Sequence, residues 1–233
     1  MNDASLVSAG KPKVGGAIFR APLGTALPTA ASTALAAAYE GVGYISDEGL
    51  VNQQGREVST QHAWGGDEVL TDVQNFTDRF VFTMIECMNL AALRTTYGAA
   101  NVSGTLAEGI TIRKNANPQE HFVLVCDTIL NGNVLHRIVV PDAQVVEVGD
   151  ISRVDGEAVG FPTTIAAKPF TAWKTAGGDA DTNQGDTHRE YMVQGATAAQ
   201  NNQDAAAVQN NQGAAAAQNN QGATAAQGNQ GAG

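Results

Sequence analysis

Residues 56–98 read REVSTQHAWGG, DEVLTDVQNFTDRFVFTMIE and CMNLAALRTTYG without a break. The pattern is two or three extended segments running into a short helix. Successive side chains of an extended chain alternate sides, so Phe80, Phe82 and Met84 share one face while Arg79, Val81, Thr83 and Ile85 share the other. The period then changes. Leu90, Leu93 and Tyr97 recur at three- and four-residue spacing, and Asn89 stands where its side chain can cap the first free amides. A sheet with one oily face needs a cover, and this helix is the nearest one in the chain.

Beyond this stretch, residues 105–114 are expected to add a strand that buries Leu106, Ile110 and Ile112. HFVLVCDTI (121–129) and VLHRIVVPD (134–142) are the plainest strand signals. The Asn131-Gly132 pair between them tolerates positive φ and predicts a hairpin. Phe122, Leu124 and Cys126 alternate with Val123 and Val125, so both faces of that strand are apolar and it belongs between two layers. Residues 144–170 supply two more strands joined at Asp155-Gly156, with Pro162 and Pro169 placing the return at a sheet edge or between subunits.

Before the stretch, residues 1–40 read as an N-terminal arm. Pro22 and Pro28 bracket a segment unsuited to the middle of a sheet, and an alanine-rich helical turn is expected near 33–39. The domain 41–176 is expected to be an antiparallel β-sandwich or split barrel with one flanking α-helix, because most connections are tight. Its sheet edges carry little protecting charge, which favours pairing between copies.

From 177 the composition turns to Gln, Asn, Gly and Ala. QNNQ recurs at 200–203, 209–212 and 218–221, and QGNQ follows at 227–230, a nine-residue repeat. Nine residues turn a helix by two and a half turns, so successive blocks share no face. The segment 177–233 is expected to be a flexible, external tail.

Charge and catalytic chemistry narrow the function. The 233-residue chain has 13 Lys plus Arg against 23 Asp plus Glu and a net charge of −10. About −6 of that precedes Gly177. No basic cluster marks nucleic-acid binding. Cys87 and Cys126 read as buried thiols. The four histidines lack partners at metal-ligand spacing, and Asp179, Asp181, Asn183 and Glu190 imitate a calcium loop without its glycine. No metal, cofactor or catalytic residue is expected. The N-terminus holds no long apolar run, so no membrane anchor is expected either.

The blocks AIFRAPLGTALPTAASTALAAAYEGVGYISDEGL (17–50), GGDEVLTDVQN (65–75), FVFTMIE (80–86) and NLAALRTTYG (89–98) together resemble the major tail, or tail tube, proteins of long-tailed bacteriophages, especially those infecting actinobacteria. The resemblance covers residues 13–176. It implies a structural subunit of the virion tail, assembled in the bacterial cytoplasm, whose hexameric rings stack into a tube. Viral DNA passes through the lumen without specific binding, and tail terminator and tape-measure proteins are the implied partners. It also implies an arm, with Ile18, Phe19, Leu23 and Leu27 against a neighbour, and an inter-ring loop carrying His62, Trp64, Asp67 and Glu68. Full burial of each arm side chain contributes roughly 1.5–3 kcal/mol, so deletion of residues 1–27 is expected to leave a soluble monomer. Within the subunit, Leu90, Leu93 and Tyr97 are the expected helix-packing residues, and Phe80, Phe82, Met84, Phe122 and Leu124 the sheet core. A capsid-decoration or adhesion protein is the alternative reading, separated by attachment to a preformed surface instead of self-polymerisation.

Overall fold

The computed structural model describes residues 2–13, 15–173 and 185–195. The chain divides into two units, Met1–Val193 and Gln194–Gly233, and the fold is that of the first. Its strands are β1 (Lys11–Pro12), β2 (Ile18–Pro22), β3 (Glu40–Gly41), β4 (Val51–His62) and β5 (Glu68–Met84). Helix α1 (Leu90–Tyr97) follows, then β6 (Val102–Thr105), β7 (Gly109–Ile112), β8 (His121–Leu130), β9 (Val134–Val148), β10 (Phe161–Ala167) and β11 (Arg189–Gln194).

Among the described residues, nine strands form one open sheet in the order β3-β2-β8-β9-β10-β5-β4, with β1 also on β8 and β11 also on β9. The fold is mainly β, antiparallel, with one flanking helix; no closed barrel is present among the described residues. One face carries the larger core. Phe80, Phe82 and Met84 of β5 meet Phe122 and Leu124 of β8, and Leu93 and Tyr97 of α1 close over them, with Leu90 packed partly buried at the margin. Tyr97 and Phe161 meet edge to face at 6.0 Å. The opposite face of the central strands buries Ala21, Val123, Val125 and Val139 under Trp173, Leu27, Leu35 and Tyr39. β8 therefore lies between two layers, and its second cover is irregular chain instead of another sheet.

Helix α1 is eight residues long, too short to be stable by itself. Its ends are fixed locally. The Asn89 side chain accepts a 2.9 Å hydrogen bond from the Ala91 amide. Gly98 ends the helix at φ 88°, donating its amide to the Arg94 carbonyl at 2.9 Å. Thr95 and Thr96 are buried with their hydroxyls donated to the carbonyls of Ala91 and Ala92, so the helix hides polar side chains without orphaning them.

Several expectations change. β10 lies between β9 and β5, not at an edge. Proline is tolerated there because Pro162 sits where the β9 ladder ends. Its carbonyl accepts from Gly149 at 2.8 Å, so the missing N–H also faces that side, past the last residue of β9, and no bond to β5 is lost. Pro169 lies past the strand. The expected strand at 105–114 is the β6-β7 hairpin, which leaves Leu106 exposed and Ile112 partly so. The turn after β8 puts positive φ on Gly132 and Asn133, one residue later than expected. Residues 33–39 form turns and no helix. The boundary at Gly177 also shifts. Residues 185–194 return to the body and add β11, with Thr187 buried, while the repeats lie outside the described residues.

Candidate assembly interface

The β4-β5 hairpin is built on a 12-residue and a 17-residue strand, longer than the sheet it grows from. All of β4 and the first half of β5 are exposed. β4 is the end strand on this side of the sheet, so one row of its backbone donors and acceptors has no strand partner among the described residues. Little in it blunts that row: it has no proline, and its charges Arg56 and Glu57 and its register shifts fall from its middle onward.

Strand alternation separates the two faces of the hairpin. Phe80 pairs with Asn52, and Phe76 with Arg56. A register shift between Glu57 and Val58 then places Val58 opposite Val73 on the same face. The apolar face of the core thus continues outward as Phe76, Val58 and Val73, all exposed, with the Arg56 guanidinium 5.3 Å from the Phe76 ring centre. The other face carries Gln53, Arg79, Glu57, Asn75, Ser59 and Asp72, with Val51 and Leu70 exposed among them, and is mostly polar. At the tip the Ala63 amide donates to the Asp67 carbonyl at 2.7 Å, and Gly66 takes φ 94°. Trp64 stands clear at 107% exposure. His62, Asp67 and Glu68 are exposed beside it, so the four expected loop residues sit together at the hairpin end.

A buried polar cluster fastens the root of this hairpin. Asp78, on the core face of β5, accepts hydrogen bonds from His188 Nδ1 (2.5 Å), Thr187 Oγ1 (2.6 Å) and Asn52 Nδ2 (2.8 Å). Burial alone would raise the Asp78 pKa, but these bonds outweigh it and hold the carboxyl below its usual range. Burial likewise opposes charge on His188, and its bond to Asp78 with the nearby Glu190 raises its pKa above the ordinary value. Glu190 also reaches His136 Nε2 at 2.9 Å. The parity of Asp78 with Phe80 and Phe82 was the available sequence signal: an acid on an oily face requires a partner. That partner, 110 residues away, could not be read from spacing.

On the opposite face Arg137 and Asp127 form a buried two-point pair, with Nε–Oδ1 2.6 Å and Nη2–Oδ2 2.7 Å. Arg137 Nη1 donates to the carbonyls of Ala30 and Thr33, tying the 30–33 segment to the sheet. Burial pushes the nearby Tyr39 hydroxyl up to about 12, with Arg137 pulling the other way.

The four arm residues part company. Ile18 is 2% exposed in the core of its own subunit, and β2 pairs with β8 through its whole length. Phe19 and Leu27 pack partly buried on the second face, and only Leu23 projects into solvent. β2 is an internal strand because Arg20 can be buried against Glu120 at 2.7 Å and over the Phe122 ring at 5.2 Å. Deleting residues 1–27 would therefore remove part of the sheet and not a detachable arm. The segment before β1 exposes Leu6 and Val7, and Asn131 holds it to the body by donating to Ser8 Oγ at 2.6 Å and to the Val7 carbonyl at 3.3 Å.

Among the described residues no group of three or more His, Cys, Asp or Glu is placed to hold a metal, and no helix is long and apolar enough to cross a membrane. Cys126 is buried and Cys87 partly so. Asp179, Asp181 and Asn183 lie outside the described residues.

Residues 1–178 match a family model described as phage tail tube protein. No curated protein matches the chain.

Proposed function

The chain belongs to the phage tail tube protein family and is a structural, non-catalytic subunit of the virion tail; from that premise we propose how its surfaces build the tube. Six copies form a ring in which the β4 edge of one subunit pairs with the sheet of the next, so the open sheet becomes part of a shared barrel. The unpaired 12-residue edge of β4 is the observation that carries this reading. Backbone pairing would satisfy its free row, and the exposed Phe76, Val58 and Val73 would be covered by the adjoining copy. The polar face, with Gln53, Glu57, Ser59, Asn75 and Asp72, then lines the lumen. Its two acids, Glu57 and Asp72, outnumber the one cation, Arg79, and its amides are neutral, so DNA slides past without adhering.

The hairpin tip at His62, Trp64, Asp67 and Glu68 reaches the adjacent ring, and the segment before β1 contacts a neighbouring subunit. Tail terminator and tape-measure proteins meet the tube at its end and in its lumen, and assembly takes place in the host cytoplasm. End-on cryo-electron microscopy of tubes grown from the purified chain tests the arrangement. Sixfold averages with a continuous inner wall support it, and another symmetry, or separate subunits around a gap, contradicts it.

A further inference from the structure

At the end of the body away from the hairpin tip lies a pocket of about 470 Å³. Its walls are Tyr97 of α1 and the chain around Val148 and Ile151, and its rim carries Arg113, Lys114 and Arg153 against the single acid Asp150. Three of the 13 basic residues of a chain with net charge −10 thus converge on one opening. Lys114 Nζ stands 5.1 Å from the Tyr97 ring centre, and Arg113 donates to the Ala100 carbonyl at 2.9 Å, so two of the three are held over the pocket.

The position of the pocket matters as much as its charge. Val148 and Phe82 both pair with Thr163, which places the pocket wall at the level of Phe82. The hairpin tip begins at Glu68 of the same strand β5, on the order of 45 Å away at ~3.3 Å per residue. The tip is acidic, with Asp67, Glu68 and Asp72, and carries the exposed Trp64. The basic rim and the acidic tip therefore lie at opposite ends of one subunit. A contact between them is head to tail and repeats without closing, which is the symmetry a filament needs. Asp47, Glu48, Asp155 and Glu157 are also exposed, but Ser46 bonds Thr83 and residues 149–160 join β9 to β10, all at the pocket's own end, so none of them reaches the pocket of a copy stacked head to tail.

We propose that the pocket of Arg113, Lys114 and Arg153 receives the Trp64–Asp67–Glu68 hairpin tip of a second copy stacked along the strand direction. The inference rests on the tail tube reading and assigns the receiving site for its inter-ring loop. Trp64 offers an aromatic face to the guanidinium groups, and the acids pair with the rim.

Charge exchange in the full chain tests it, with polymerisation followed by sedimentation and negative-stain microscopy. Asp67→Lys with Glu68→Lys, and separately Arg113→Glu with Lys114→Glu, should each raise the concentration needed for tubes by about tenfold or more. All four sites are exposed, so unchanged circular dichroism and melting should accompany the loss. Combining the four substitutions should restore tubes. Wild-type tubes together with a reversed tip that polymerises normally, or a fourfold variant no better than the doubles, overturn the inference alone. A wild-type chain that never forms tubes overturns the tube reading with it.

Discussion

Asp78 accepts a 2.5 Å hydrogen bond from His188, joining the root of the projecting hairpin to a segment 110 residues later in the chain. The bond makes residues 185–194 a strap across the base of the β4-β5 hairpin. It also makes the strap sensitive to pH. His188 has a raised pKa, so its contribution is full below the ordinary value of 6.5 and is lost as pH rises through the raised one. Asp78 has a lowered pKa, so its contribution is full above 3.8 and is lost as pH falls through the lowered one. The strap is tightest between. The protection of the 189–194 amides, measured as exchange relative to the base-catalysed intrinsic rate at each pH, should be greatest near pH 5–6 and fall on the alkaline side. His188→Gln should exchange faster there and lose that alkaline dependence.

The same strap sets where the chain can be cut. Trp173 is buried under the Arg189 guanidinium, 4.2 Å from its ring centre, and β11 covers part of β9. A chain ending after residue 195 should melt as the full protein does. One ending after 176 should melt lower, by roughly 2–4 °C for each kcal/mol lost. Differential scanning calorimetry of the two truncations separates them.

Breaking the Arg137–Asp127 pair should be costly because it strands a buried charge. Asp127→Ala should lower stability by about 3–5 kcal/mol in urea unfolding, while replacing both partners by apolar residues should cost less than the sum. The single change should also free the 30–33 segment, whose carbonyls Arg137 holds. Faster proteolysis in that segment is the second readout.

Large core truncations should follow burial. Phe80 and Phe122 fill the main core, so Phe80→Ala or Phe122→Ala should each cost about 3–5 kcal/mol, read from the urea midpoint at constant slope. Val58→Ala, exposed on the hairpin, should change the monomer by less than about 0.5 kcal/mol. It should nonetheless raise the concentration needed for tubes, because in the proposed ring Val58 belongs to the face covered by the adjoining copy.

Local physics was legible in the sequence wherever neighbours in the chain are neighbours in space. The parity of Phe80, Phe82 and Met84, the Asn89 cap and the two apolar faces at 122–126 all depend on residues a few positions apart. What could not be read depends on distant pairing. Ile18 looked like an arm residue because its segment lies between glycines and prolines, and only pairing with β8 makes it core. Pro162 looked like an edge marker because its place at the end of the β9 ladder is a matter of register. Asp78, Thr187 and His188 gave no combined signal, nor did Arg113, Lys114 and Arg153, since each set is assembled by the fold.

The central claim is that the free edge of β4 is completed by another copy. Hydrogen–deuterium exchange of residues 51–62, measured in unpolymerised chain and in assembled tubes, tests it most directly. The amides facing away from β5 should exchange freely in the subunit and become protected in the tube. Equal, fast exchange of those amides in both states would contradict the account.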